Sequence, residues 1–231
     1  MRNDERFLVA FNKIEKHFDQ KLDDTKYVPF QRAVYRLRNS DAAINRYSND
    51  LLEFSELRNA IVHERTEVNY TIADPHDQVV ATIEQIAKEV TAPQQVMPTF
   101  AKVLRTIQAD LKVKQVFGII RETEYSQFPV YRNKRFLGLL TDKKMLHWVA
   151  KNVSGDTTKV LETSISKLID EEQGTHYQFI PRHTSVYQAE QLFIQSVKQH
   201  KRLEALLITE TGSKDEKLLG MISPHDLIEI P

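Results

Sequence analysis

The chain has 231 residues, 41% hydrophobic and 28% charged, the ordinary balance of a globular protein with room for one large domain or two small ones. The absence of cysteine excludes a disulfide framework, a thiolate metal site and a cysteine nucleophile, and 32 basic against 32 acidic residues leave no polyelectrolyte-binding surface in the composition. No stretch approaches the roughly 18 apolar residues of a membrane span, and the start MRNDERFLVAF is charged where a signal peptide needs an apolar core. A cytoplasmic location with no membrane partner is the expectation.

Residues 1–92 read as helices only, a bundle of about four. Phe7, Phe11, Ile14, Phe18 and Leu22 recur at three and four residues, one apolar stripe. Phe30, Val34 and Leu37 predict a second helix, and Ser40 or Asp41 can cap a third running towards His63. Asp74-Pro75 predicts the start of the fourth, with the acid as N-cap, and Val79, Ile83, Ile86 and Val90 supply its buried face. The stretch TAPQQVMPT, with two prolines, marks a linker centred on residues 93–99. Residues 1–95 carry 13 basic and 16 acidic groups and the remainder 19 and 16, so mild positive charge lies in the second part. That favours a small anionic ligand there.

Beyond the linker, short strands and helices alternate, and the pattern occurs twice. IQADLKVKQVFGII from Ile107 aligns with IPRHTSVYQAEQLF from Ile180 at an offset of 73 residues; FLGLLTDKKM from Phe136 aligns with LLGMISPHDL from Leu218 at an offset of 82. The extra residues fall in the polar stretch TETGSKDEK, a lengthened hairpin loop. Each unit, 100–153 and 154–231, reads strand, helix, strand, strand, helix. A duplication of this size predicts two small units packed about a pseudo-twofold axis with clefts between them. The fold class is therefore α+β: an N-terminal four-helix bundle followed by two βαββα repeats.

Four elements in register, FPV at 128–130, GLLT at 138–141, EALLIT at 204–209 and GMISPHD at 220–226, make residues 96–231 resemble a tandem pair of CBS domains. The resemblance implies adenosine-containing ligands in the inter-repeat clefts, AMP, ADP, ATP or cyclic di-AMP, acting as regulatory ligands rather than required cofactors, and no metal. It places the ribose on Ser223 and Asp226 beside His225, with Thr141 as the duplicate's equivalent hydroxyl. The base falls among Ser126, Gln127, Phe128 and Pro129. The chemistry agrees, since a carboxylate accepts hydrogen bonds from both vicinal hydroxyls of a ribose. A plainer reading also holds: Ser223 as N-cap, Pro224 at the first helical position and Asp226 at the third form a helix start. The duplicate separates the two readings, for it carries Lys144 where the second unit carries Asp226, and lysine offers no acceptor. One competent site and one degenerate or altered site are expected.

The string LRNAIVHER, residues 57–65, resembles the Arg-x(4–6)-His motif of the HEPN superfamily of helical domains. The resemblance implies metal-independent ribonuclease chemistry across a homodimer, with Arg58 stabilising a phosphorane-like transition state, Asn59 orienting the ring and His63 as general acid or base. Asn59 and His63 share a helix face, but Arg58 and His63 stand about 140° apart on an ideal helix. Glu53, Glu56, Glu64 and Glu67 make the neighbourhood acidic, which disfavours RNA as a partner. The alternative is a role in folding or dimerisation, with Arg58 paired to Glu56 or Glu64. Combined, the two halves read as a nucleotide sensor whose occupancy biases a helical domain. The rivals are a nucleotide-gated ribonuclease and a dimerising adaptor without ligand.

Overall fold

The computed structural model describes residues 1–24, 27–63, 74–123, 125–153, 157–170 and 176–228. The chain forms two compact units, Met1–Gln94 with Ser185–Gln191, and Gln95–Thr184 with Leu192–Pro231. Among the described residues no helix is long and apolar enough to cross a membrane.

The first unit is helical: α1 (Asn3–Leu22), α2 (Phe30–Leu37), α3 (Ala42–Arg46), α4 (Ser48–His63) and α5 (Asp77–Thr91). The predicted stripe of α1 is buried along Phe7, Phe11, Ile14 and Phe18. Phe30 of α2 packs over Phe11 and Phe18, with ring centroids 4.3 and 5.1 Å away, and Phe54 of α4 meets Phe7 edge-on at 5.7 Å. Each fully buried phenylalanine contributes about 2 kcal/mol of transfer free energy.

Two boundaries differ from the sequence expectation. The third helix is two, because Asn45, Tyr47, Ser48 and Asn49 are weak helix formers. Asp41 caps α3, accepting the Ile44 N–H at 3.0 Å, and the chain turns at Tyr47 before α4. Asp74 does not cap α5, which begins at Asp77 after His76. Asn3 fixes this entry instead, donating to the Pro75 carbonyl at 3.0 Å and the Asp77 carboxylate at 2.8 Å.

A later helix, α11 (Val186–Lys198), contributes its first turns to this unit. The Glu89 carboxylate accepts from the hydroxyls of Tyr47 and Tyr187, and Arg46 pairs with Glu190 at 3.0 Å. Burial opposes ionisation of Glu89, but the two hydroxyls, Gln85 and Arg46 together hold its carboxyl below the usual range. Burial and the bond to Glu89 push the Tyr187 hydroxyl well up.

The second unit runs α6 (Val96–Thr99), β1 (Ile107–Gln108), α7 (Val113–Thr123), β2 (Gln127–Arg132), β3 (Arg135–Thr141), α8 (Asp142–Asn152), α9 (Thr157–Leu161), α10 (Ile165–Asp170), β4 (Tyr177–Pro181), α11, β5 (Ala205–Thr209) and β6 (Gly220–Ile222). It holds two three-stranded sheets of one topology, β1-β2-β3 and β4-β5-β6. In each the first pair is parallel and the second an antiparallel hairpin; Ile107 lies opposite Val130 and Ile180 opposite Ile208. The first hairpin closes on Asn133 and Lys134, both left-handed with φ of 49° and 66°, as a two-residue turn matched to strand twist requires. Leu139, Ala205, Leu207 and Met221 form a shared core between the sheets. Phe136 stands edge-on to Tyr177 and Phe179, at 5.3 and 5.2 Å.

Two corrections apply here. Residues 157–170, expected in the second repeat, complete the core of the first, where Ile165, Leu168 and Ile169 join Ile107, Val113, Val116 and Val130. A sheet of three strands and two helices leaves one apolar face uncovered, and α10 covers it. After β6 the chain makes a hydrogen-bonded turn through Leu227 rather than the expected helix.

Candidate ligand-binding site

The turn after β6 is ordered by its own side chains. Asp226 Oδ2 accepts from the Ser223 N–H at 2.6 Å and from the Ser223 hydroxyl at 2.7 Å. In return the Asp226 N–H approaches Ser223 Oγ at 3.4 Å and bonds the Ser223 carbonyl at 3.1 Å. This is the reciprocal geometry of a capping box, built on a turn. The other carboxylate oxygen, Oδ1, meets Lys102 Nζ at 3.3 Å. Burial opposes the charge, but the Ser223 N–H and hydroxyl and the Lys102 ammonium hold the Asp226 carboxyl below the usual range. Asp226 is therefore an anion at neutral pH.

Lys102 reaches Asp226 because the chain ahead of β1 lies along β6. Ala101 bridges to Gly220, and a Cβ on Gly220 would overlap the carbonyl oxygen of Phe100. Only glycine permits this approach. The segment thus pinned, Lys102–Arg105, forms one wall of a cavity of about 360 Å³, within the range of small-molecule sites. Tyr125, Ser126, Gln127 and Pro129 form a second wall, and Met221, Ser223, His225 and Asp226 a third.

Six residues expected at the site, Ser126, Gln127, Pro129, Ser223, His225 and Asp226, therefore meet around one cavity. Phe128 does not: it is fully buried in the core of the first sheet. Successive strand residues face opposite sides, so Gln127 and Pro129 can line the cavity only if Phe128 and Val130 turn inward. Thr141 does not line it either. It is 5% exposed and accepts the Lys144 N–H at 3.2 Å as the N-cap of α8. Lys144 folds back on the edge strand, its ammonium donating to the Leu139 carbonyl at 3.1 Å. Burial lowers its pKa against the pull of Glu204.

Sequence reasoning missed Lys102, Val103, Leu104, Arg105 and Met221. The first four lie on irregular backbone without periodicity; the positive balance beyond residue 95 was their only trace. Met221 could have been found by strand alternation with Ile222.

The donors and acceptors are sorted by chemistry. Asp226 and Ser223 suit a vicinal diol. Lys102 and Arg105 suit a phosphate. Val103, Leu104, Pro129, Met221 and the Tyr125 ring offer apolar contact for a flat base. Gln127 donates its amide N–H to the Glu204 carbonyl at 3.3 Å, while its Oε1 is buried without a donor. A group of three or more metal-ligating side chains is absent among the described residues.

Of the helical motif, the side chains of Arg58 and Asn59 are described. Arg58 lies over the Phe11 ring, 6.0 Å from its centroid, with Nε buried without a partner and Nη1 3.4 Å from the Asn59 amide oxygen. Asn59 is exposed. His63 closes α4, but its side chain, with Glu64 and Glu67, lies outside the described residues.

Residues 98–151 match the family model of the CBS domain. No curated protein matches the chain. Among solved structures it is similar to a CBS-domain-containing protein from Agrobacterium tumefaciens, with 15% identity over 55% of this chain and 88% of that one and a TM-score of 0.42. It is also similar to the CBS domains of a transcriptional regulator from Streptococcus pneumoniae, with 17% identity, 59% and 98% coverage and a TM-score of 0.42. A third is the CBS domain of a bacterial CNNM/CorC family Mg2+ transporter in complex with ATP, with 15% identity, 59% and 85% coverage and a TM-score of 0.43. At such scores the likeness is too distant to transfer a ligand. The family match is local, and the chain carries a CBS domain at residues 98–151.

Proposed function

We propose that the protein is a regulatory sensor that binds an adenine nucleotide, AMP, ADP, ATP or cyclic di-AMP, in the cavity between Asp226 and Gln127, and relays its occupancy to the helical unit. The observation that carries this reading is the cavity's division of labour. A carboxylate–hydroxyl pair, two cations and a set of apolar side chains line the same cavity. A nucleotide is the ligand whose ribose, phosphate and base match these three kinds of lining group. The base lies against the apolar groups beside Gln127, Val103, Leu104 and Pro129 among them. The relay runs through α11, whose first turns are anchored by Tyr187 and Glu190 in the helical unit while its remainder belongs to the other. Occupancy biases the helical unit to the extent that it changes how α11 is held.

Thermal unfolding with each nucleotide tests the reading. A ligand at a hundredfold excess over its Kd stabilises the folded state by about 2.7 kcal/mol, so AMP or a related adenine nucleotide raises the melting temperature, and Asp226→Ala removes the shift. If none of the four nucleotides shifts the wild type, the ligand-free adaptor takes the sensor's place.

A further inference from the structure

The two sheets end in equivalent corners, and only one is electrically closed. Aligned through their parallel pairs, Ile107 with Ile180 and Val130 with Ile208, the sheets place Ala109 where the second has Arg182, and Arg132 where it has Glu210. In the second corner Arg182 Nη1 donates to both oxygens of Glu210, at 3.3 and 3.1 Å. Gly212, left-handed with φ of 89°, packs there against the ring of Pro181.

In the first corner Ala109 removes one charge, Arg132 reverses the other, and the space stays open. A cavity of about 450 Å³ is lined there by Asp110, Lys112, Arg132, Asn133, Ser164 and Ser166, among others. It lies beyond the carboxyl ends of the parallel strands β1 and β2, where open α/β sheets take ligands, and shares no lining residue with the cavity at Asp226. Among the described residues neither Arg132 nor Lys112 forms an ion pair, and Asp110 is the one acid in the lining. Two of the backbone N–H groups nearby are already taken: Ser166 donates to the Ala109 carbonyl at 2.8 Å and Lys112 to Gln115 Oε1 at 2.8 Å. Recognition there falls to side chains. The hydroxyls of Ser164 and Ser166 lie 2.9 Å apart and share one proton contact, leaving the pair a further donor for a ligand.

We propose that this corner is a second ligand site, specific for the phosphate group of a small phosphate monoester. Arg132 and Lys112 carry its charge, the serine pair and Asn133 donate to its oxygens, and Asp110 accepts a hydroxyl from the ester's carbon skeleton. Arg132 presents a planar fork that matches two phosphate oxygens. Asp110 distinguishes the monoester from free phosphate, which carries no such hydroxyl.

Calorimetric titration of the full chain with inorganic phosphate and with glycerol 3-phosphate tests the proposal, in wild type, Arg132→Glu, Lys112→Gln and Arg105→Ala. Arg132→Glu installs the residue found at the equivalent exposed position of the second corner, and a thermal melt shows that the variant folds. Saturable binding is expected in wild type, tighter for glycerol 3-phosphate, weakened about tenfold or more by Arg132→Glu and Lys112→Gln, and unchanged by Arg105→Ala. Equal affinity for the two probes identifies free phosphate as the ligand and overturns the monoester assignment. Binding that follows Arg105, or that does not saturate in wild type, overturns the site.

Discussion

The turns after β3 and β6 are the same device put to two uses. Both begin with a hydroxyl residue that receives the N–H three positions on, Thr141 from Lys144 and Ser223 from Asp226. The capping function is therefore satisfied twice, and what differs is the side chain at the third position. Lys144 turns back to donate to the Leu139 carbonyl of its own strand; Asp226 closes on Ser223 and still lines an open cavity with Lys102 beside it. Local backbone chemistry explains the hydroxyls in both turns. It explains one oxygen of the Asp226 carboxylate, Oδ2, and leaves Oδ1 turned to Lys102.

The largest expected effect breaks the comparison at its glycines. Gly138 and Gly220 occupy equivalent places, but a Cβ at Gly138 would meet side chains, Ile169 at 3.2 Å and the Tyr177 hydroxyl at 4.0 Å, whereas at Gly220 it would overlap the backbone of Phe100. A side chain can shift by a few tenths of an ångström; a bridged backbone cannot without leaving β6. Gly220→Ala is expected to cost about 3 kcal/mol and Gly138→Ala about 1 kcal/mol, by analogy with overpacking of a tight core. Urea unfolding of the two variants checks the difference, and equal losses would show that the 100–101 segment is not pinned as described.

Next is the exchange of the third residue itself. Asp226→Lys gives the second turn the residue of the first. It removes both acceptors for a diol and sets a second ammonium beside Lys102. Loss of charge-assisted hydrogen bonds of this kind costs about 2–3 kcal/mol, roughly a fiftyfold or greater fall in nucleotide affinity. Calorimetry with AMP reads it directly. Retained affinity would mean that the ribose is held elsewhere.

A smaller effect belongs to Lys102, whose ammonium meets Asp226 at the second turn. Its pair with Asp226 is part-exposed, so the pair itself contributes about 1 kcal/mol or less to stability. Its value is in recognition: Lys102→Ala is expected to weaken ATP about tenfold, to leave adenosine unchanged or slightly tighter because Asp226 is released, and to flatten the salt dependence of ATP binding. Equal losses for adenosine and ATP would remove Lys102 from the phosphate side.

How much of this was legible depends on whether a feature repeats along the chain. The stripe of α1, the strands around Val130 and Ile208, and the contrast between Lys144 and Asp226 all lie on periodic or duplicated sequence, where position implies direction. Phe128 was misplaced because a motif was read as a block, although alternation alone separates it from Gln127 and Pro129. Lys102 and Arg105 were invisible for a different reason. They sit on irregular backbone held in place by a bridge to Gly220, and a contact across more than a hundred residues leaves no local pattern. The same holds for α10, whose Ile165 and Leu168 fill the first sheet's core from outside the duplicated unit.

The smallest effect sharpens the comparison from the other side, at Lys144. Burial lowers the pKa of its ammonium, Glu204 only partly offsetting this, whereas in the unfolded chain lysine titrates near about 10.4. Below the lowered value both states hold the proton, and the buried charge is a constant cost. Between the lowered value and about 10.4 the unfolded chain binds the proton and the folded chain does not, so the stability of the wild type rises with pH across that window. Lys144→Met cannot titrate. Its stability relative to wild type is therefore expected to fall as pH is raised from neutral towards about 10, by about 1 kcal/mol or less, since a side chain still partly exposed is screened by solvent. Paired urea titrations at neutral and alkaline pH measure the change. A difference that stays flat would place the ammonium in water rather than against Leu139.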